Sequence, residues 1–341
     1  MPIINRGDDY FQAGTYTGNG SSQTITGLRF QPDFVWIKGR SGATDHALYD
    51  AVRGVEKRLE SNTFDVEVAT DGGVTAFTSD GFTVGSLAQV NTNAATYVYW
   101  AWKANGAGVS NTDGTITSTV SANTTAGFSI VTYTGNGTAG ATVGHGLGVA
   151  PSMIIVKQRG GIANWNVYHA SLGNTGCMTL NTTGAFDVNS GKWNNTSPTS
   201  TVFSLGGDGT VNPNGNPLVA YCFAQVAGYS AFGSYVGNGS SDGPFVFTNM
   251  RPRYVLIKRT DTGSTESWQV YDTARDTYNT TAANLYPNLS NAEVTDNSGQ
   301  NIDIVSNGFK LRNTNSRLNA NGGTYIFAAF SEFPFKSALA R

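Results

Sequence analysis

Three copies of one short motif cut this chain into thirds. YTGNG occupies positions 16–20 and again, letter for letter, 133–137, and YVGNG occupies 235–239. Self-similarity at a long period constrains a fold more than any local propensity, because a repeat changes the whole fold reading, and each unit of about 100 residues can bury a core of its own. Anchored on the motif, the segments 11–40, 128–159 and 232–259 align. In each, a proline is followed six residues later by a lysine (Pro32 and Lys38, Pro151 and Lys157, Pro252 and Lys258), and an arginine follows at Arg40, Arg159 and Arg259. Downstream, HALYDAVRG, WNVYHASLG and WQVYDTARD place Tyr49, Tyr168 and Tyr271 in register. A turn-and-strand segment starting at Phe77, Phe203 and Ile304 comes next, and YVYWAW, LVAYCF and YIFAAF close the units. The order never changes. The chain therefore reads as three tandem modules, 1–104, 127–226 and 227–341, with the Gly/Ser/Thr/Asn stretch 105–126 as a linker.

Within a module the apolar runs are short, rich in Val, Ile, Phe, Tyr and Thr, and bounded by Gly, Asn, Asp and Pro, which predicts strands. Only 13% of residues are charged and 42 are glycine, a balance that disfavours helices. The predicted class is all-β: three tandem antiparallel β-sandwich modules of jelly-roll or concanavalin-like type. FVWI, MIIV and YVLI are apolar at consecutive positions, as central strands covered on both faces are. The lysine after each run then reads as a strand end reaching solvent along its own stem. In 50–61, Val52, Val55 and Leu59 fall at helical spacing and allow a short helix.

The same sequence excludes several functions. The net charge is −2 and the 21 basic residues are scattered, so no stripe matches a phosphate backbone and nucleic acid is not an expected partner. Cys177 and Cys222 have no metal-ligand spacing and read as buried free thiols. The start MPIINRGDDYFQAG lacks a signal-peptide pattern, and no run approaches the roughly 20 apolar residues of a membrane helix. The expectation is synthesis in a cytoplasm without membrane insertion. YTGNG lacks the Lys-Ser/Thr of a phosphate loop, and its Asn-Gly step predicts a hairpin turn.

Catalysis is poorly supplied. His46, His145 and His169 fall at non-equivalent places in the repeat, and no GxSxG elbow accompanies them. Asp45 with Asp50, or Asp71 with Asp80, read as turn formers before they read as a glycosidase pair. No catalytic, cofactor-binding or metal-ligating residue is assigned, and the chain reads as a non-enzyme. Most tryptophans lie inside strands. Trp193 lies instead in the polar stretch SGKWNNTSPTS, and with Asn194 and Asn195 it is the candidate ligand-binding group, an indole able to stack on a sugar. The segments 65–75, 183–198 and 284–300 agree least among the modules and are expected to form the partner-facing edge.

Several of these stretches resemble tandem modules of virion structural proteins of tailed bacteriophages, marine ones especially. The resemblance is carried by TVGHGLGVAPSMIIVKQR with WNVYHASLG, by the stretch from LVAYCFAQVAGYSAFGSYVGNG to MRPRYVLIKRTD, and by SNGFKLRNTNSRLNANGGTYIFAAFSEFPFK. It spans nearly the whole chain and is strongest over 128–336. It implies lectin-like sandwiches on a tail fibre, knob or tip, made in the host cytoplasm and assembled into the virion. Other virion proteins and a host-surface glycan or protein are the implied partners. Capsid decoration is the alternative placement, and a tailspike-type glycan-degrading enzyme a third. With about ten residues ahead of the first module, the expectation is a compact knob or a decoration and not a long fibre. A homo-oligomer, as a trimer, is the expected assembly, although three modules in one chain can also imitate a trimer by themselves.

Overall fold

The computed structural model describes residues 4–263, 266–295 and 299–331, and over these the chain is all-β with antiparallel sheets, as strand spacing and composition predict. The first repeat runs β1 (Phe11–Thr17), β2 (Gln23–Thr26), β3 (Phe34–Gly39), β4 (Ala47–Asp50), β5 (Gly54–Leu59), β6 (Val68–Ala69), β7 (Val74–Thr78), β8 (Gly81–Val84), α1 (Ala88–Asn91) and β9 (Thr96–Trp102). The second runs β10 (Val109–Asn111), β11 (Ser118–Asn123), β12 (Phe128–Thr134), β13 (Ala141–Gly144), β14 (Met153–Gln158), β15 (Asn166–His169), β16 (Gly173–Thr179), β17 (Asp187–Val188), α2 (Ser190–Trp193), β18 (Val202–Leu205) and β19 (Pro217–Phe223). The third runs β20 (Ser230–Val236), β21 (Phe245–Phe247), β22 (Tyr254–Arg259), β23 (Gln269–Asp272), β24 (Ile302–Val305), β25 (Gly308–Leu311), α3 (Ser316–Asn319) and β26 (Thr324–Phe330).

One topology recurs. The larger sheets are ordered β1-β9-β3-β4-β5-β6, β10-β11-β12-β19-β14-β15-β16-β17 and β20-β26-β22-β23, so the last strand of each repeat always lies between the strand that leads into its YTGNG-type motif and its FVWI-type strand. The smaller sheets are β2-β8-β7, β13-β18 and β21-β25-β24. Registers Ile25↔Phe82, Val143↔Phe203 and Val246↔Phe309 make these pairs equivalent. Phe203 therefore takes the place of Phe82, not that of Phe77 as its sequence alignment suggested.

Strand alternation assigns the two faces of each larger sheet to different cores. In β3, Val35 and Ile37 meet Phe82 and Val84 of the small sheet, whereas Phe34 and Trp36 point the other way. The second and third repeats divide the same way. The outward faces of all three larger sheets then share one further cluster, with Phe11, Phe34, Trp36, Trp100 and Trp102 from the first repeat, Phe128, Ile155, Trp165, Tyr221 and Phe223 from the second, and Tyr254, Leu256, Trp268 and Phe330 from the third. The consecutive apolar runs are thus buried on both faces, as read from sequence.

Three sequence expectations are corrected. The stretch 105–126 is not a linker: it contains β10 and β11, and β11 pairs antiparallel with β12 from Ser118↔Tyr133 to Asn123↔Phe128. Val52, Val55 and Leu59 do not lie on a helix, because 51–53 is a turn and β5 follows it, held against β4. YTGNG is not a hairpin, since β1 and β2 belong to different sheets.

The motif is the crossover between sheets, and each letter has a cause. The Tyr16, Tyr133 and Tyr235 hydroxyls donate to the carbonyls of Val90, Val211 and Leu318. A Cβ on Gly18, Gly135 or Gly237 would lie 2.2, 2.2 or 2.3 Å from a backbone carbonyl oxygen, so only glycine passes. The backbone N–H of Asn19, Asn136 and Asn238 donates to the side-chain oxygen of a buried asparagine, Asn91, Asn212 or Asn319, at 2.8–2.9 Å. The final Gly20, Gly137 and Gly239 have φ of +74°, +68° and +66°.

Candidate functional site

Trp193 closes α2, and its side chain is 1% exposed, packed edge-on against Tyr168 in the second repeat's own core. Burial of the indole removes the face that a sugar would need, so this candidate is corrected. Asn194 and Asn195 follow it in left-handed conformation (φ 53° and 48°) and are exposed. The Trp193 ring turned inward, away from them, because the apolar interior outweighs the polar neighbours in sequence.

The recurring lysines are also corrected. Lys38, Lys157 and Lys258 do not reach solvent; each is fully buried. Each Nζ donates to a carbonyl of its own repeat and to one of another. Lys38 reaches Gly39 (3.0 Å) and Ser290 (3.2 Å), Lys157 reaches Ala163 (2.8 Å) and Phe64 (3.0 Å), and Lys258 reaches Arg259 (2.7 Å) and Thr183 (3.1 Å). The first repeat thus grips the third, the second grips the first, and the third grips the second. Burial lowers all three amines to about 8.

The same cycle repeats in other chemistry. The ring N–H of Trp165 donates to Glu60 O, that of Trp268 to Thr179 O, and His46 Nε2 meets Tyr286 O. Glu67 accepts from Arg53 of its own repeat and, through two bonds of 2.8 and 2.7 Å, from Arg159 of the second. Glu293 bridges Arg275 and Arg40 in the same way. Burial would raise these carboxyls, but the arginines outweigh it and hold both below the ordinary range. The segments 65–75, 183–198 and 284–300, expected at a partner-facing edge (296–298 lie outside the described residues), supply clamps between repeats: Glu67, Phe186 and Glu293 each donate a backbone N–H to the neighbour, at Arg159, Thr260 and Arg40.

A second set of contacts runs in the opposite sense. The buried pair Asp50–Arg53 takes the Tyr221 hydroxyl of the second repeat, His169 Nε2 meets Phe327 O of the third, and the buried pair Asp272–Arg275 takes the Trp100 ring N–H of the first at 2.9 Å.

The histidines are chemically spoken for. In each, Nδ1 accepts an N–H (from Trp36, from Leu147, from Ser171) while Nε2 faces a carbonyl (Tyr286, Thr199, Phe327). That pattern assigns the neutral Nε2–H tautomer, whose lone pair and proton are both engaged. Burial lowers all three, His169 to about 4. Cys177 and Cys222 are free and buried, as read from sequence, and burial raises both thiols.

One surface feature breaks the symmetry of the repeats. In the third, a groove of about 320 Å³ runs between β20 and β21, lined by Ala231, Gly233, Tyr235, Phe245, Phe247 and Asn249. Phe245 and Phe247 are 47% and 59% exposed. The equivalent place in the first repeat is closed by the Gln12 side chain, which accepts the Arg29 N–H at 2.6 Å, and by Arg29 paired with Asp9. In the second it is closed by β11.

The match to known families spans all of these features. The chain belongs to the DUF7483 family. That family is described as a domain of unknown function, and its model covers residues 6–334, all three repeats together. No curated protein and no solved structure matches the chain. The family unit is thus the closed triplet with its joints, and the asparagines at its crossovers were legible only as the recurring Asn-x-Asn of NTN, NPN and NAN.

Proposed function

We propose that this DUF7483 chain is a non-enzymatic structural protein of a tailed-phage virion, carried on the tail, where it meets a host-surface glycan or protein. The observation that carries the structural half of this reading is the commitment of its reactive side chains: buried lysines, ion pairs and two of the three histidines hold one repeat to another, in a ring around one aromatic core. The virion half rests on the resemblance of its repeated segments to phage modules. Three repeats around one core also let a single chain act as the compact threefold knob that a trimer would otherwise build.

Immunogold labelling of intact particles of the encoding phage, paired with adsorption of the purified chain to host cells, tests the reading. Label at the tail and saturable adsorption, with no reducing sugar released from envelope polysaccharide, is the expected result. Label spread over the head would move the protein to capsid decoration, and released sugar would make it a tailspike-type enzyme.

A further inference from the structure

The groove of the third repeat has an internal counterpart that is filled. In the second repeat β11 lies along the outer edge of β12, and the inward side chains Ile116, Ser118 and Val120 are buried at 7%, 3% and 4% exposure. The strand also crosses to the small sheet, where Ile116 N–H donates to Thr142 O (2.9 Å) and the Ser118 hydroxyl to Gly144 O (3.0 Å). By the registers of the crossover motif and the small sheets, Ser230–Tyr235 occupy the places of Phe128–Tyr133, and Phe245 and Phe247 those of Thr142 and Gly144. The third repeat therefore keeps both rails of the β11 site, and among the described residues no strand lies between them.

Among the described residues nothing on these rails protects them. β20 reads SAFGSYV and β21 reads FVF, without a charge or a proline, although exposed edges in natural proteins are blunted by such residues or covered. The Gln12–Arg29 latch of the first repeat is missing too, because Ala231 and Asn249 stand at its two positions. Ala231 is too short to reach across.

We propose that this groove receives one extended strand from a separate polypeptide, laid antiparallel to β20 opposite 230–235, with alternate side chains entering between the sheets and β-branched aliphatic ones at the places of Ile116 and Val120. Backbone bonds along β20 supply affinity, and the space beside Gly233, Val246 and the exposed rings of Phe245 and Phe247 supplies selection for side chains like Ile116 and Val120. The inference is independent of where the protein works.

A synthetic peptide with the sequence of 114–124, GTITSTVSANT, is the probe, since its native place in the second repeat is already filled. Added to the full chain, it is expected to bind saturably and to slow amide exchange at 230–236 and 245–247. A peptide carrying Asp at the Val120 position should bind at least tenfold more weakly, and so should the intact peptide on a Phe245→Asp/Phe247→Asp chain whose thermal midpoint matches the parent's. No binding, or equal binding by that variant, overturns the proposal. So does a chain whose 230–236 amides are already slow and become peptide-accessible on removing 332–341 or on diluting a dimer, because the occupant is then the chain itself or a second copy.

Discussion

At the residue scale, the buried histidines set the acid response. His169 is neutral in the fold, with burial holding it at about 4 against an ordinary value of 6.5. Between those values the unfolded chain binds the proton and the folded chain does not, so stability falls as pH drops from 6.5 and the loss is complete near 4. His46 and His145 are lowered too and add in the same sense. Glu67 and Glu293, held down by arginines, contribute stability that is present above 4.5 and is lost as pH falls further. A His169→Gln chain, whose amide still donates to Phe327 O, is expected to lose on the order of 3 kcal/mol less than the parent between pH 7 and 4. Urea midpoints across that range check it, and parallel curves for the two chains would refute the assignment. None of this was legible beforehand. His169 sits where the other repeats carry Asp50 and Asp272, and only the packed joint reveals that all three do the same work in different chemistry.

At the element scale, the crossover motif depends on one side chain outside it. Asn212 is 1% exposed; its oxygen accepts from Asn136 and Gly137, and its amide donates to Thr138 O and Gly206 O. Asn212→Ala strands those backbone groups, and a loss of about 3 kcal/mol is expected, given 1–3 kcal/mol per buried group left unpaired. Asn212→Asp keeps the acceptor but sets a buried carboxylate oxygen against the Thr138 and Gly206 carbonyls, so at neutral pH it should do no better than alanine. Thermal denaturation of the two variants orders them, and an alanine variant as stable as the parent would show that the crossover holds itself. The motif was legible as a repeat marker and not as a shape: Asn-Gly between β-prone runs also encodes a hairpin, and nothing local says that the next strand joins another sheet. The same limit explains 105–126, whose small polar residues suit a linker until β12 offers them an edge.

At the scale of the whole molecule, the shared aromatic cluster makes the repeats interdependent. Trp102 touches Phe11 and Phe34 of its own repeat, Phe128 and Phe223 of the second, and Tyr254 and Phe330 of the third. The chain is therefore expected to unfold in one transition, with equal calorimetric and van't Hoff enthalpies, and Trp102→Ala should lower that single midpoint at a cost of about 3–5 kcal/mol. Two or three separable transitions would mean that the repeats are independent domains. The sequence by itself determined the all-β class, the three repeats and the strands buried on both faces, because strand propensity, turn chemistry and the spacing of apolar runs act over a few residues. Only the tertiary structure decided that Lys38, Lys157 and Lys258 point into joints, that Trp193 turns inward, that 105–126 becomes a covering strand and that, among the described residues, the groove of the third repeat holds no strand. Those outcomes depend on which surfaces meet across more than a hundred residues of chain, and the free energy of that meeting is not written in any one segment.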